Sequence, residues 1–334
     1  MTDIDDRPTF TLPERSIPIP RSLSPQARDA LEAGAKMPRT PLPDPSDDDA
    51  WRAHVATQRG VELQYVPEGS AAAYAEQRGV DLVVRDVGGV PVYVATPAEW
   101  APQDPRTVLF LHGGAWMQGG GEMARMMTVL EAANLGLRCW GVDYRMLPEH
   151  PFPAHLDDCL TAYRALIDEH GAAHVAVSGM SAGGNLAAAL VLRARDEGLE
   201  PPAAVAMWTP SVDLTRDGDT WHTVDGLDPI VGRHMGMAMD YYARGNDPKN
   251  PYLSPLFGEL TGFPPAILVS GTRDGLLSDT ILFHRALRRA GVSAELHVFE
   301  AMPHIGFPSM DAVSPEDLER NAEIRGFIHA RLPR

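Results

Sequence analysis

The sequence predicts an α/β protein built on a mostly parallel central sheet with helices on both faces. Three observations carry that expectation. Short apolar, β-branched runs recur from residue 107 onward without polar alternation, the signature of strands buried on both sides. Segments of helical length and period lie between them. One stretch of about 50 residues, 213–263, interrupts the alternation; at that length it reads as a lid rather than a structureless loop.

The elements follow in order. Nine of the 30 prolines fall in the first 45 residues, and Asp47, Asp48 and Asp49 close that proline-rich stretch. Within it, Ser24–Ala35 predicts a short helix with Ser24 as N-cap, Pro25 in first position and Gly34 at its end. A second helix is predicted over Asp49–Arg59. Val80–Val87, Gly88-Gly89 and Val90–Ala95 read as a hairpin. Strands are then expected at Thr107–Leu111, Arg138–Val142, His174–Ser178, Ala203–Trp208, Ala266–Ser270 and Glu295–Phe299. Helices are expected near 122–135, 154–169, 182–195, 278–290 and 315–330, with a Met-rich one at Val231–Tyr242 inside the long insertion.

Composition bounds the function. The 334 residues include 44% apolar side chains, enough for a sizeable core. Against 45 acidic residues stand 29 basic ones, a net charge of −16 that opposes binding to nucleic acid or anionic membrane surfaces. Cys139 and Cys159 make neither a disulfide framework nor a zinc site. The start, MTDIDDRPTF, shows no signal-peptide pattern, and no apolar run reaches 18 residues. A soluble, cytoplasmic protein is the expectation.

Chemistry concentrates at strand ends. Gly179-Met180-Ser181-Ala182-Gly183 lies between a strand and an Ala/Leu-rich helix, the setting that holds a serine in a strained turn at the apex of a sheet. Side chains two before and two after would collide with the adjoining strand and helix. Such a serine needs a base and the base an orienting acid, in the chain order Ser, acid, His. Of the histidines that follow a suitable acid, His284, His297 and His329 lie inside predicted elements, whereas His304 sits in a loop after a strand. Asp274, just past strand 266–270, is the preferred acid; Asp213 competes, and Asp279 suits a helix start. Strand 107–111 ends in His112-Gly113-Gly114, whose amides, with that of Ala182, would form an oxyanion hole.

With these stretches, together with Asp143-Tyr144-Arg145-Met146-Leu147-Pro148-Glu149-His150 and Met302-Pro303-His304, the chain resembles the hormone-sensitive-lipase-like carboxylesterases of the α/β-hydrolase superfamily over about residues 80–330. The resemblance implies an α/β-hydrolase fold with a helical cap: residues 1–75 as an N-terminal segment, 76–334 as the catalytic domain, and 213–263 as a second cap piece. It implies a Ser181–His304–Asp274 triad hydrolysing short- to medium-chain esters through an acyl-enzyme, with no metal or organic cofactor. Tyr144, Arg145 and Glu149 would buttress the site. Two positions depart from the pattern: Ala115 replaces a third glycine, and Met180 precedes the serine where relatives carry a polar residue. Neither touches the triad.

Trp116, Met117, Met180, Trp208, Met235, Met239, Tyr241 and Ile305 are the candidate substrate contacts, although such stripes also serve lid packing. The expected partner is a small-molecule ester. Lactone, amide or carbamate hydrolysis would use the same triad, and plant gibberellin receptors resemble the family without its catalytic histidine. An edge strand at Glu295–Phe299 makes a homodimer an open possibility.

Overall fold

Strands with no polar face need helices on both sides, and the computed structural model supplies them. It describes residue 14 and residues 16–37, 39–307 and 313–334; residues 1–13, 15 and 38 of the expected N-terminal segment lie outside that set. Eight strands form one sheet: β1 (Val80–Val87), β2 (Val90–Pro97), β3 (Thr107–Leu111), β4 (Arg138–Val142), β5 (Val175–Met180), β6 (Ala204–Trp208), β7 (Ala266–Gly271) and β8 (Ala294–Phe299). Their order across the sheet is β1-β2-β4-β3-β5-β6-β7-β8. The β1–β2 hairpin is antiparallel and β2 meets β4 antiparallel; every later pairing is parallel.

Alternation along each strand divides the core in two. Leu109, Leu111, Val177, Met207 and Leu268 pack on one face against α5 (Ala154–His170), α6 (Ala182–Asp196) and α9 (Leu277–Arg289). Val108, Ala176, Ala206, Ile267 and Val269 pack on the other against α4 (Glu122–Leu135) and α10 (Pro315–Arg331). Cys139 and Cys159 are buried free thiols in different clusters. Among the described residues no helix is long and apolar enough to cross a membrane.

The N-terminal arm contributes α1 (Pro25–Gly34), α2 (Asp48–Tyr65) and α3 (Ser70–Arg78). Ser24 caps α1 as the sequence predicts, its side chain accepting from the Ala27 N–H. Two differences stand out. α2 runs one and a half turns past Arg59, because Gly60 faces open space and interrupts no packing. α3, an alanine-rich segment bounded by Gly69 and Gly79, has no apolar stripe to announce it and packs against α4. The boundary expected at residue 75 therefore falls inside a helix.

The insertion between β6 and β7 holds α7 (Thr220–Thr223) and α8 (Gly236–Ala243). Where one helix over Val231–Tyr242 is predicted, Gly232 is extended and only a 3₁₀ turn, Arg233–Met235, precedes α8. The arm and the insertion are joined by side chains. The rings of Trp51 and Tyr241 stack at 4.6 Å, and Asp48 accepts from Tyr241 Oη at 2.9 Å and from Arg244 at 2.7 Å. Arg39 reaches Asp225 at 3.3 Å.

Candidate active site

β5 enters a turn so tight that only particular residues fit it. Ser181 adopts φ 56° and ψ −118°, a conformation costing about 1–3 kcal/mol for a residue with a side chain. A Cβ on Gly179 would lie 2.2 Å from the Gly183 carbonyl oxygen, and one on Gly183 would lie 1.9 Å from that of Leu111. Both glycines are thus fixed by close approach. The Ser181 N–H donates to the Trp208 carbonyl at 2.9 Å, pinning the turn to the end of β6.

His304 and Asp274 come from the loops after β8 and β7. His304 Nε2 lies 2.9 Å from Ser181 Oγ, and its Nδ1 lies 3.0 Å from Asp274 Oδ1. Asp274 also accepts from Ser270 Oγ at 2.5 Å and from the Leu276 N–H at 2.9 Å, which fixes its plane. His304 and Asp274 are both buried. Burial alone would push the His304 pKa down; the hydrogen bond to Asp274, its charge and that of Asp228 outweigh it and hold the imidazole above its ordinary value.

Sequence reasoning does not reach Asp228. This wholly buried carboxylate lies on the insertion and accepts four backbone N–H groups. Its Oδ2 takes those of Gly275 at 2.8 Å and His304 at 3.2 Å, and its Oδ1 those of Ile230 and Val231 at 2.8 and 3.0 Å. It therefore ties the insertion to both loops that carry the acid and the histidine. Burial raises its pKa, opposed by the His304 charge. Asp228, Asp274 and His304 bring ligand atoms within 4.8 Å of one another, but these oxygens already accept several N–H and O–H groups, a donor set matched to hydrogen bonding rather than to a metal.

Asp213 accepts from Thr215, and no hydrogen bond joins it to His304 among the described residues. Asp279, in the first turn of α9, accepts the N–H groups of Val212 and Asp213 at 3.0 Å each, and burial carries its pKa well above the carboxylate range.

The Gly113-Gly114 turn runs beside Ser181. A Cβ on Gly113 would come within 3.1 Å of the Met180 carbonyl oxygen, and Gly114 has φ 117°, with Gln118 O only 2.1 Å from any added Cβ. Among the described residues the N–H groups of Gly113 and Gly114 meet no protein acceptor. Ala182 opens α6, so its N–H has no intrahelical partner either. Behind them the His112 and Tyr144 rings stack at 4.1 Å, His112 Nδ1 donates to the Gly113 carbonyl at 2.7 Å, and Tyr144 Oη donates to that of His112 at 2.8 Å. Arg145 grips Asp158 through Nη2 at 2.7 Å and Nε at 2.9 Å, whereas Glu149 is exposed and its side chain makes no hydrogen bond or ion pair among the described residues.

A cavity of about 360 Å³ opens over Ser181 and His304. Met117, Met180, Met235 and Ile305 line it, as their sequence positions suggested. Trp116 and Met239 border instead a compartment of about 20 Å³ beside Ser181 and Ala182. Trp208 and Tyr241 border neither, and both expectations are corrected. Trp208 shares the parity of Ala204 and Ala206, so its ring turns to the opposite face of the sheet, 3.6 Å below the Arg320 guanidinium. Tyr241 is engaged with Trp51 and Asp48 in the seam between arm and insertion. The cavity also takes His54, Gln58 and Glu62 from α2, and Met123 and Met127 from α4, none of which carries a sequence signature.

Residues 108–308 match the family model described as the alpha/beta hydrolase fold. A carboxylesterase of Mycobacterium tuberculosis, NlhH, is 31% identical over 294 residues, 83% of this chain and 90% of its own length. An acetyl-hydrolase of Streptomyces hygroscopicus is 34% identical over 216 residues, 62% of this chain and 71% of its own. Among solved structures, an esterase superposes with a TM-score of 0.86 at 33% identity, covering 97% of this chain and 99% of that one. A hormone-sensitive lipase from a metagenome library gives 0.78 at 31%, covering 92% and 98%. Sheet order, the strand–Ser181–helix turn and these likenesses agree: the chain belongs to the α/β-hydrolase family, among its hormone-sensitive-lipase-like carboxylic ester hydrolases.

Proposed function

We propose that this protein hydrolyses short- to medium-chain carboxylic esters with Ser181 as nucleophile, His304 as general base and acid, and Asp274 as the group that orients and charges the imidazole. The observation that carries the reading is the continuous chain Ser181 Oγ, His304 Nε2, His304 Nδ1, Asp274 Oδ1, at 2.9 and 3.0 Å. Ser181 Oγ attacks the ester carbonyl carbon while its proton passes to Nε2. The carbonyl oxygen becomes an anion held by the N–H groups of Gly113, Gly114 and Ala182, each worth about 2.7–4 kcal/mol of transition-state stabilisation. The C–O bond to the alcohol then breaks and Nε2 returns the proton to the leaving oxygen. Water, deprotonated by the same nitrogen, attacks the acyl-enzyme, and Ser181 departs with the proton. The described residues of the N-terminal segment 1–75, with 213–263, serve as a two-piece cap.

A cavity of about 360 Å³ over Ser181 supports a small ester as substrate, and the resemblance to the family supports a chain length of up to about eight carbons. The acetyl-hydrolase relative supports the short end of that range. A fluorophosphonate probe is expected to label Ser181 and to fail on Ser181→Ala. Rates across p-nitrophenyl esters from two to sixteen carbons should fall beyond the medium chains; a maximum at the longest chains would refute the size class.

A further inference from the structure

His304 decides which side of Ser181 receives which half of the ester. The leaving alcohol takes its proton from Nε2, so it departs on the side of that ring. Of the two spaces at Ser181, His304 and Ile305 border the larger one. The smaller, about 20 Å³, is walled by Trp116, Met235, Ala238, Met239 and Leu276 and has room for an acyl group of acetyl size. The alcohol therefore lies in the larger space, beneath the cap.

The roof of that space is polar in its middle. The face of α2 turned inward reads Trp51, His54, Val55, Gln58 and Glu62 and continues into Val66 just past the helix; of the other residues of α2 only Asp48 and Ala50, in its first turn, are not exposed. Its ends are apolar and buried, as packing requires. Its middle is polar, and His54, Gln58 and Glu62, at i, i+4 and i+8, line the catalytic cavity. Polar groups turned inward are costly unless hydrogen-bonded. Glu62 accepts from the Gly119 N–H at 3.2 Å. The side chains of His54 and Gln58 make no hydrogen bond within the protein among the described residues; the His54 ring has only the edge of Trp51, 5.8 Å between centroids. Burial lowers the His54 pKa, so near neutrality its ring presents one donor and one acceptor, and Gln58 presents both as well. The other walls combine methionine and isoleucine with the polar Arg39, Thr40, Gln118 and His234.

Resting on the esterase reading, we propose that the His54–Gln58–Glu62 stripe of α2 recognises the alcohol half of the substrate, so that the enzyme takes short-chain, acetyl-sized esters of alcohols bearing further hydroxyl or amide groups in preference to esters of hydrocarbon alcohols. A site built to hydrogen-bond a substrate rejects the isostere lacking those groups, because its own polar atoms are then left unpaired.

The test uses two acetates of matched shape, methyl 6-O-acetylglucopyranoside and cyclohexylmethyl acetate, with the full chain. The wild type is expected to favour the sugar ester by at least about tenfold in kcat/KM. Gln58→Met and His54→Leu should each reduce that preference about fivefold, the worth of one hydrogen bond, and the double variant should approach parity. Melting curves run in parallel establish that the variants fold. Should one not melt cooperatively, the wild-type preference still decides. Preference for the cyclohexyl ester, or an unchanged ratio in folded variants, overturns the proposal. Failure of the underlying reading looks different: neither ester, nor p-nitrophenyl acetate, is hydrolysed, and a fluorophosphonate leaves Ser181 unlabelled.

Discussion

The floor and the roof of the catalytic cavity are made by opposite means. On the floor, backbone does the placing: Ser181, Gly114 and Ala115 sit at positive φ, Gly179 and Gly183 leave no room for a Cβ, and Asp274 and Asp228 are filled with hydrogen bonds. On the roof, side chains hang from an ordinary helix whose only buried residue is Trp51; Glu62 accepts from Gly119, while His54 and Gln58 meet no partner in the protein among the described residues. The difference teaches where chemistry and selectivity are separated. A floor without slack holds reacting atoms in register, whereas a roof of replaceable side chains alters what is bound without altering the reaction.

The largest effects should come from the floor. Ser181→Ala is expected to lower kcat by up to about 10⁶-fold in ester hydrolysis with the melting temperature nearly unchanged, since only one hydroxyl is lost. Gly183→Ala should damage both: its Cβ would meet the Leu111 carbonyl at 1.9 Å, displacing the end of β3 that leads to Gly113. A loss of about 3 kcal/mol or more in denaturant melts is expected, with activity lost as well. A folded, active G183A protein would show that the turn has more slack than its geometry allows.

Asp228→Asn probes a point where the insertion is bonded to both loops that carry Asp274 and His304. The amide nitrogen would face two backbone N–H groups in place of a carboxylate oxygen, misplacing the His304 loop, and kcat should fall roughly ten- to hundredfold with KM changing less. A merely structural residue would do no more. Asp228 also adds negative charge beside the imidazole and helps to raise its pKa. With His304 as the proposed base, catalysis needs it neutral, so activity is expected to be lost as pH falls through that raised pKa; removing the charge lowers it, and the acid limb of kcat/KM should move to lower pH. An unmoved limb would confine Asp228 to holding the loop.

The same contrast governs what was legible in the sequence. The floor could be read because close approach and strain admit few residues: glycines on either side of Ser181, paired glycines after β3, and acid and histidine at strand ends in fixed order. Asp228 could not be read, because its partners are backbone amides of loops 47 and 76 positions away and it lies in an aperiodic insertion. Trp208 was within reach: alternation along β6 puts it with Ala204 and Ala206, away from the cavity, and proximity in sequence to the site outweighed parity. The polar face of α2 has no counterpart in any motif, since hydrogen-bonding side chains on a cap helix look in sequence like a solvated surface.

Smaller effects should come from the seam that holds the roof in place. Trp51→Ala removes a fully buried ring stacked on Tyr241 and should cost about 3–5 kcal/mol locally. None of the hydrogen bonds around Ser181, His304 and Asp274 involves α2, so KM should rise more than kcat falls. Tyr241→Phe is gentler and more discriminating. Burial, the hydrogen bond to Asp48 and that carboxylate's charge push the Tyr241 pKa up to about 12, so the group lost is a neutral hydroxyl that donates to Asp48 at 2.9 Å. The ring remains to stack on Trp51, and Arg244 still reaches Asp48 at 2.7 Å. The variant should melt slightly lower, by less than the Trp51 variant, while kcat and KM for p-nitrophenyl acetate stay as they were. A change in KM at unchanged stability would mean that the hydroxyl meets the substrate, returning Tyr241 to the pocket that its place in the insertion first suggested and removing it from the seam.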